Sequence, residues 1–132
     1  ILTGVNASDS DTFVYNSLNE LLLVNPSATT AQYFDEIIDF NNNDRILAPL
    51  SVESERLVAI KGTAASLTAA AISGVLSTTG FVANSVAAFA ASGFAGTFIA
   101  MNDGNNGFQA GSDAIVFLKN YSISSANFVD FT

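Results

Sequence analysis

The sequence predicts a mainly β domain with one short helix. Short segments rich in β-branched and aromatic residues recur along the chain, turn-forming Asn, Asp and Gly separate them, and a single stretch has helical periodicity. With 132 residues the chain is long enough for one ordinary domain and too short for two. Because 49% of the residues are hydrophobic and only 12% are charged, we expect residues 1–132 to fold around a buried core.

The first predicted strand covers residues 11–15, where Phe13 and Tyr15 share one face of a period-two pattern. The apolar run at 18–24 fits either a strand or one helical turn, because it is too short for its periodicity to distinguish the two. Asn25-Pro26-Ser27 ends this run, since Pro and its polar neighbours favour a turn.

Further strands are predicted at residues 34–40 and 57–60. In the first of these, side chains alternate, with Phe34, Glu36, Ile38 and Phe40 on one face and Asp35, Ile37 and Asp39 on the other. The Asn triplet at 41–43 predicts a turn, because Asn tolerates left-handed backbone and bonds its own chain. We expect Gly62 to close the strand at 57–60.

Residues 66–76 form the predicted helix. Its apolar residues recur at helical spacing behind a Ser/Thr cap, and they are Leu67, Ala71, Ile72, Val75 and Leu76. This stripe is expected to pack against the sheets.

The second half of the chain predicts two hairpins and a terminal strand. Apolar runs at 87–91 and 97–102 are separated by a Gly-containing loop, which is typical of a hairpin. A dense turn signal at 102–107 precedes a strongly apolar strand at 114–118. The tail at 128–132 is expected to be extended or strand-like.

Charge and hydropathy exclude several kinds of partner. Twelve acidic residues against four basic ones give a formal net charge of -8, and the basic residues are scattered, so neither nucleic acid nor an anionic membrane is an expected partner. The most apolar window, 86–101, is interrupted by Ser92, Gly93 and Gly96 and falls short of the roughly 20 apolar residues that a spanning helix needs. We therefore expect no membrane insertion. Ile1 is not followed by the basic and apolar regions of a secretion signal, so the start predicts a fragment or a processed end.

Catalysis is not expected either. The chain contains no His, Cys or Trp, which excludes Ser-His-Asp and Cys-His sites, zinc sites of the usual kind, iron–sulfur clusters and disulfides. A pair of carboxylates can act as the acid and base of a glycosidase. Because no Trp is available to stack on a sugar and no polar cluster surrounds an acidic pair, the sequence predicts no enzyme.

Four Asp residues are the main candidate metal ligands. Asp35, Asp39 and Asp44 are close together in sequence, and Asp11 can join them from a neighbouring strand. Carboxylate and amide oxygens are the donors that Ca2+ prefers, and it collects about six to eight of them from loops and strand ends. The spacing is also compatible with Asp residues that cap turns and face water, so both interpretations stay open.

A second, weaker candidate is the loop 102–113. Asn102, Asn106, Gly107 and Asp113 fill the first, fifth, sixth and last positions of a twelve-residue calcium loop. The third position is Gly104, which has no side-chain oxygen, the last ligand should be Glu, and the flanks are predicted strands. An EF-hand is therefore not expected and a plain hairpin turn is favoured, with Asn102, Asp103 and Asp113 kept as weaker metal candidates.

Two sets of segments resemble known protein families. Asp-Thr-Phe-Val-Tyr-Asn-Ser-Leu (11–18), followed by Phe-Asp-Glu-Ile-Ile-Asp-Phe (34–40), resembles the sequence that ends calcium-binding RTX β-rolls. The segments at 65–76, 81–84, 97–104 and 107–110 look like the bluetail domain of cyanobacterial secreted proteins. The C-terminal part of serralysin-type proteases is a more distant relative. The segments occur in the same order and cover the chain from about residue 11 onward.

The resemblance implies a calcium-associated C-terminal module on an extracellular protein exported by type I secretion. It matches Asp11 to the last Asp of a glycine-rich repeat, and Asp35 and Asp39 to the acidic pair of the family's Asp-x-Ile-x-Asp-Phe motif. Residues 1–10 would be the degenerate end of a preceding β-roll repeat, since 7–10 lack the family's Gly-Gly-x-Gly. Asp130, between apolar residues of the tail, would belong to a C-terminal secretion signal.

We therefore expect a β-sandwich or β-roll-like C-terminal cap with one short helix, placed outside the cell or on its surface. Its expected partners are Ca2+, the type I secretion apparatus, and either a second copy or an adjoining β-roll domain. The alternative function is a self-assembling surface-layer or fibre subunit that uses sheet edges as contacts.

Overall fold

The computed structural model describes residues 1–4, 8–21, 34–49 and 52–132. Within these ranges nine strands form two mixed sheets that pack face to face, and one short helix lies on the outer face of the larger sheet. The predicted mainly β, sandwich-like fold with one short helix is therefore confirmed.

The strands are short and are numbered in chain order. They are β1 (Thr12–Val14), β2 (Asp35–Ile37), β3 (Arg45–Leu47), β4 (Arg56–Leu57), β5 (Ile60–Ala64), β6 (Val86–Ala91), β7 (Gly96–Met101), β8 (Ala114–Lys119) and β9 (Val129–Phe131). The helix α1 spans Ala69–Val75, and a 3-10 turn spans Leu18–Leu21.

The larger sheet has five strands in the order β2-β8-β7-β6-β5, and the smaller has four in the order β1-β3-β9-β4. In the larger sheet β6, β7 and β8 are antiparallel neighbours, whereas β2 and β5 join its two edges as parallel strands. In the smaller sheet β1, β3 and β9 are parallel, and β4 is antiparallel to β9. Both predicted hairpins are confirmed, and the predicted tail strand is β9.

The side chains of β7 alternate between two separate cores. Ile99 and Met101 lie in the core between the two sheets. Phe98 and Ala100 lie in a second core on the other face, which α1 closes with Ile72. Because the larger sheet is buried on both faces, its central strands are apolar at nearly every position.

An aromatic cluster around Phe98 fills the second core. Its ring stacks on Phe117 at 4.4 Å and on Phe89 at 5.2 Å between centroids, and Phe94 meets it edge-on at 5.3 Å. Gly96 opens β7 with φ 145°, where a Cβ would collide with a backbone carbonyl of β8. Glycine therefore allows β7 and β8 to approach closely beside this cluster.

The helix prediction is confirmed over its central turns. Thr68 is the N-cap, with an extended backbone, and its side chain accepts a hydrogen bond from the Ala71 amide at 3.2 Å. Ile72 and Leu76 are fully buried in the second core. Among the described residues, no helix has the length and apolar character needed to cross a membrane.

Two details of the predicted strands are wrong. The segment 57–60 does not form one strand, because β4 ends at Leu57 in the smaller sheet and β5 begins at Ile60 in the larger one. Gly62 lies inside β5 instead of closing it. Helix α1 packs on this strand, and a Cβ on Gly62 would lie 3.2 Å from Val75 Cγ1. Glycine here makes room for the helix.

The predicted face that joins Phe34, Glu36, Ile38 and Phe40 is also wrong. β2 ends at Ile37 and the chain bends at 38–39, so Ile38 is exposed. Phe34 packs against the second core, whereas Phe40 belongs to the core between the sheets. The residues predicted at 18–24 begin with the 3-10 turn, and residues 22–24 with the following Asn-Pro-Ser lie outside the described residues.

Candidate functional site

Two stacked turns lead into the parallel strands β1 and β3. The turn at 8–11 precedes β1 and the turn at 41–44 precedes β3. Thr12 pairs with Arg45, so Asp11 and Asp44 occupy equivalent positions just before the two strands. Hydrogen bonds join the two segments. The Arg45 amide donates to the Asp11 carbonyl at 3.0 Å. Ser10 Oγ donates to the Asn43 carbonyl at 2.7 Å, and Asn41 Nδ2 donates to the Asp9 carbonyl at 3.5 Å.

Asp44 fastens the two turns together. It is only 3% exposed, and its Oδ1 accepts a hydrogen bond from the Asp11 amide at 2.9 Å. Its Oδ2 accepts from the Asn41 amide at 2.9 Å and from Asn41 Nδ2 at 3.0 Å. Both carboxylate oxygens therefore bind N–H groups of the chain itself, which is how an Asp acts when it caps a turn.

The carboxylates of Asp11 and Asp39 come together at Gly4. The Gly4 amide donates to Asp39 Oδ1 at 2.9 Å. A Cβ on Gly4 would collide with Asp11 Oδ2 and would lie 3.5 Å from Asp39 Oδ2. Asp11 also lines a groove of about 290 Å³ that runs between residues 2–4 and β1. These two residues are the members of the predicted metal set that the fold places side by side.

The other predicted ligands are placed differently. Asp35 lies on β2 opposite Val116 of β8, and within the described ranges no hydrogen bond or ion pair links it to Asp11, Asp39 or Asp44. In the described part of the chain, no group of three or more His, Cys, Asp or Glu side chains is arranged to hold a metal ion. Calcium binding at the four Asp residues stays a prediction, with Asp11 and Asp39 as its strongest pair.

A second buried carboxylate, Asp113, closes the loop between β7 and β8. It is fully buried, and its two oxygens accept hydrogen bonds from the Asp103 amide at 2.9 Å and the Gln109 amide at 2.7 Å. Burial raises the pKa of Asp113 to about 6, because removal from water disfavours the charged form. The nearby Asp103 carboxylate acts in the same direction, and the two amide donors act against it.

Two buried amide oxygens belong to the same loop. Asn102 is fully buried and donates through Nδ2 to the Phe81 carbonyl at 3.0 Å. Gln109 donates through Nε2 to the carbonyls of Asn106 and Gly107 at 3.0 and 2.9 Å. Asn102 Oδ1 and Gln109 Oε1 are both buried and accept no hydrogen bond from the described residues. Gln109 was not predicted as a site residue, because a Gln in a polar loop carries no sequence signal for burial.

A third feature is a groove of about 410 Å³ between β4 and the larger sheet, lined in part by Arg56 and Lys61. Arg56 binds the tail at 128–132. Its guanidinium donates to both Asp130 carboxylate oxygens, at 2.7 and 3.0 Å, and lies 4.0 Å from the centre of the Phe128 ring. The tail residues predicted to carry a secretion signal thus take part in the folded sheet. Both side chains of the ion pair are partly exposed, so the pair adds little stability of its own.

Compared with known proteins, the chain matches no family model, no curated protein and no solved structure. The resemblance to RTX and bluetail proteins therefore rests on the sequence segments alone, and function has to be argued from geometry.

Proposed function

We propose that this chain is a non-enzymatic, extracellular C-terminal module that caps an adjoining parallel β structure, folds with the help of Ca2+ and supports type I secretion. The observation that carries the proposal is the pair of stacked turns before β1 and β3. Successive turns stacked in register ahead of parallel strands are the repeating unit of a β-roll. We infer that the turn at 8–11 is the last coil of such a stack and that the rest of the domain closes it.

The direction of the outward-facing backbone groups of β1 supports the capping role. β1 is an edge strand of the smaller sheet. The Asp11 carbonyl and the Tyr15 amide, which flank β1, bond to β3, so the odd-numbered residues from 11 to 15 turn their backbone groups toward β3. The amides of Thr12 and Val14 consequently point away from β3, where a further parallel strand can bind them. An adjoining coil would extend the sheet at this edge.

The carboxylate pair of Asp11 and Asp39 supports the calcium role. Two like charges held at Gly4 repel each other, and a divalent cation between them removes that repulsion. Backbone carbonyls and water would complete the oxygen shell that Ca2+ requires. Asp44 holds the two turns together beside this pair, since its oxygens accept three N–H groups.

Secretion and the extracellular location are supported by composition and by the resemblance. The chain contains no Cys, which suits a protein that crosses an envelope without mispaired disulfides. Its net charge of -8 favours solubility and attracts cations to the protein.

Thermal melting in Ca2+ and in EGTA tests the calcium role. Ca2+ at 100 times its dissociation constant should stabilise the native state by about 2.7 kcal/mol, a shift in midpoint on the order of 10 °C. The shift should shrink in the double variant Asp11→Asn/Asp39→Asn and should persist in Glu53→Gln, an exposed carboxylate near the opposite edge of the smaller sheet. An undiminished shift in the double variant would contradict calcium binding at Gly4.

The capping role is tested with an RTX β-roll block joined upstream of the domain. The domain should lower the Ca2+ concentration at which the block folds, as followed by circular dichroism. Val14→Pro removes an outward amide while leaving the bonds to β3, so it should abolish this effect without lowering the melting point of the isolated domain by more than a few degrees. Val14→Thr keeps the amide and is the matched control. An unchanged effect in Val14→Pro would contradict docking at β1.

A second candidate function is self-assembly through sheet edges, and exposed apolar residues at an edge of the larger sheet favour it. β5 is the other edge of the larger sheet, and Val58 and Ile60 are exposed there at 44% and 42%. Sedimentation velocity over a range of concentrations tests it. Assembly that disappears in Ile60→Lys would favour a surface-layer or fibre subunit, and a monomer at all concentrations would exclude one in solution.

A further inference from the structure

The strand register brings Asn102 and Asp113 together at the mouth of the β7–β8 loop. The last pair of the two strands is Met101 with Ala114, so the next residues outward are Asn102 and Asp113. Met101 and Ala114 point into the core between the sheets. By the alternation of side chains along a strand, Asn102 and Asp113 lie on the opposite face, and both are fully buried. Their side chains are therefore neighbours in the buried part of the loop.

The backbone of the loop fixes the orientation of both amide groups. The Phe81 carbonyl accepts hydrogen bonds from the Gly107 amide at 2.7 Å and from Asn102 Nδ2 at 3.0 Å. The Gln109 side chain curls back to bond the carbonyls of its own loop, while its amide binds Asp113. Since each NH2 group is held, the oxygen at the other end of the same amide is held as well. Two buried oxygen acceptors are thus left to be satisfied by something other than an N–H group.

Two carboxylates of the loop lie near each other. The Asp103 and Asp113 carboxylates are close enough to interact, and Asp113 is fully buried. A cation within the loop would balance two acidic groups and satisfy two amide oxygens at once.

We propose that the loop 102–113 binds Ca2+ through the carboxylates of Asp103 and Asp113 and the amide oxygens of Asn102 and Gln109. All four donors are oxygens, which favours a hard cation over zinc or copper. The exposed residues 104–106 leave one side of the loop open, so water can supply the remaining ligands. This site is separate from the Asp11–Asp39 pair and does not depend on the capping function. Bound Ca2+ would fix the conformation of the loop that connects β7 and β8.

A titration of the 15N-labelled wild-type domain with Ca2+, followed by NMR, tests the proposal without any variant. The amides of 102, 103, 109 and 113 should shift together with one dissociation constant. Mg2+ at the same concentrations should shift them less, because its strict octahedral geometry suits a preformed loop poorly. No shift in this loop at millimolar Ca2+ would overturn the proposal.

Substitutions then separate this site from the groove at Gly4. Asp103→Asn keeps an oxygen that can accept from the Asn105 amide, as Asp103 Oδ1 does at 2.8 Å, but it removes one ligand charge. It should weaken Ca2+ binding at the loop at least about tenfold. Asp39→Asn is the matched control, and it should leave the loop titration unchanged. An unchanged affinity in Asp103→Asn would also overturn the proposal, whereas loss of the groove signal alone in Asp39→Asn would concern only the proposed function.

Discussion

Replacing Asp44 with Ala should strongly destabilise the domain, and the loss should not depend on Ca2+. The Asp44 carboxylate accepts three N–H groups, from the amides of Asp11 and Asn41 and from the Asn41 side chain. Hydrogen bonds to a charged acceptor contribute about 1.5–3 kcal/mol each. If only the two backbone donors are counted, because the Asn41 side chain can turn toward water, the expected loss is about 3–6 kcal/mol. This is a large part of the roughly 5–15 kcal/mol that stabilises a typical domain.

Equilibrium urea unfolding in EGTA, followed by circular dichroism, measures this loss. Asp44→Asn should fall between the parent and Asp44→Ala, since it keeps one acceptor oxygen. Glu53→Ala, an exposed carboxylate, should stay within about 0.5 kcal/mol of the parent. If Asp44→Ala is as stable as the parent in EGTA, the turn clamp is refuted. A loss that occurs only in Ca2+ would make Asp44 a metal ligand instead.

Four more changes probe the packing of the fold, three substitutions by the same unfolding measurement and one truncation by melting point and secretion. Ile72→Asp places an unpaired charge in the second core, where Ile72 is fully buried, and should lower the free energy of unfolding by several kcal/mol; a stable variant would mean that α1 is not packed there. Gly96→Ala should lower it by about 1–3 kcal/mol because of its positive φ and the β8 carbonyl, whereas Gly74→Ala, in open space within α1, should raise it by about 0.5–1 kcal/mol. Removal of residues 127–132 deletes β9 and should unfold the domain; a large fall in melting point with unchanged secretion of a fused reporter would defeat the signal interpretation.

Local sequence patterns were sufficient to predict the elements whose partners are near in sequence. The hairpins of β6, β7 and β8 and the helix follow from apolar runs, turn residues and a Thr cap, all of which act within a few residues. The parallel pairings of β1 with β3 and of β2 with β8 join distant segments, and no local pattern encodes them. The prediction for Gly62 was wrong for a similar reason, because the contact that favours a small residue there comes from α1.

The candidate sites show what spacing alone can and cannot predict. Asp11, Asp35, Asp39 and Asp44 were predicted as one candidate set. The fold brings Asp11 and Asp39 together at Gly4, a residue that the sequence did not mark, and places Asp35 on β2. Asp44 and Asp113 were predicted as ligands from the same kind of spacing, and both also use their oxygens to bind amides within the chain. A turn clamp and a metal ligand both need a carboxylate directed into a loop, so sequence spacing cannot separate them.

The position of β9 connects the tail to the folding of the whole sandwich. β9 lies between β3 and β4, and Val129 and Phe131 are buried in the core between the sheets. The smaller sheet is therefore complete only once β9 has docked, because among the described strands β9 is the one that pairs with β4 in that sheet. A tail that is recognised by an exporter must be accessible, and a tail that forms an internal strand is not. The two roles are compatible when they follow one another, with recognition in the unfolded chain and strand pairing afterwards. In that order the residues proposed to direct secretion are the same ones that complete the fold. Ca2+ bound near the turns would stabilise the closed state, because Asn42 Nδ2 in the turn at 41–44 donates to the Ala126 carbonyl just before β9 at 3.1 Å.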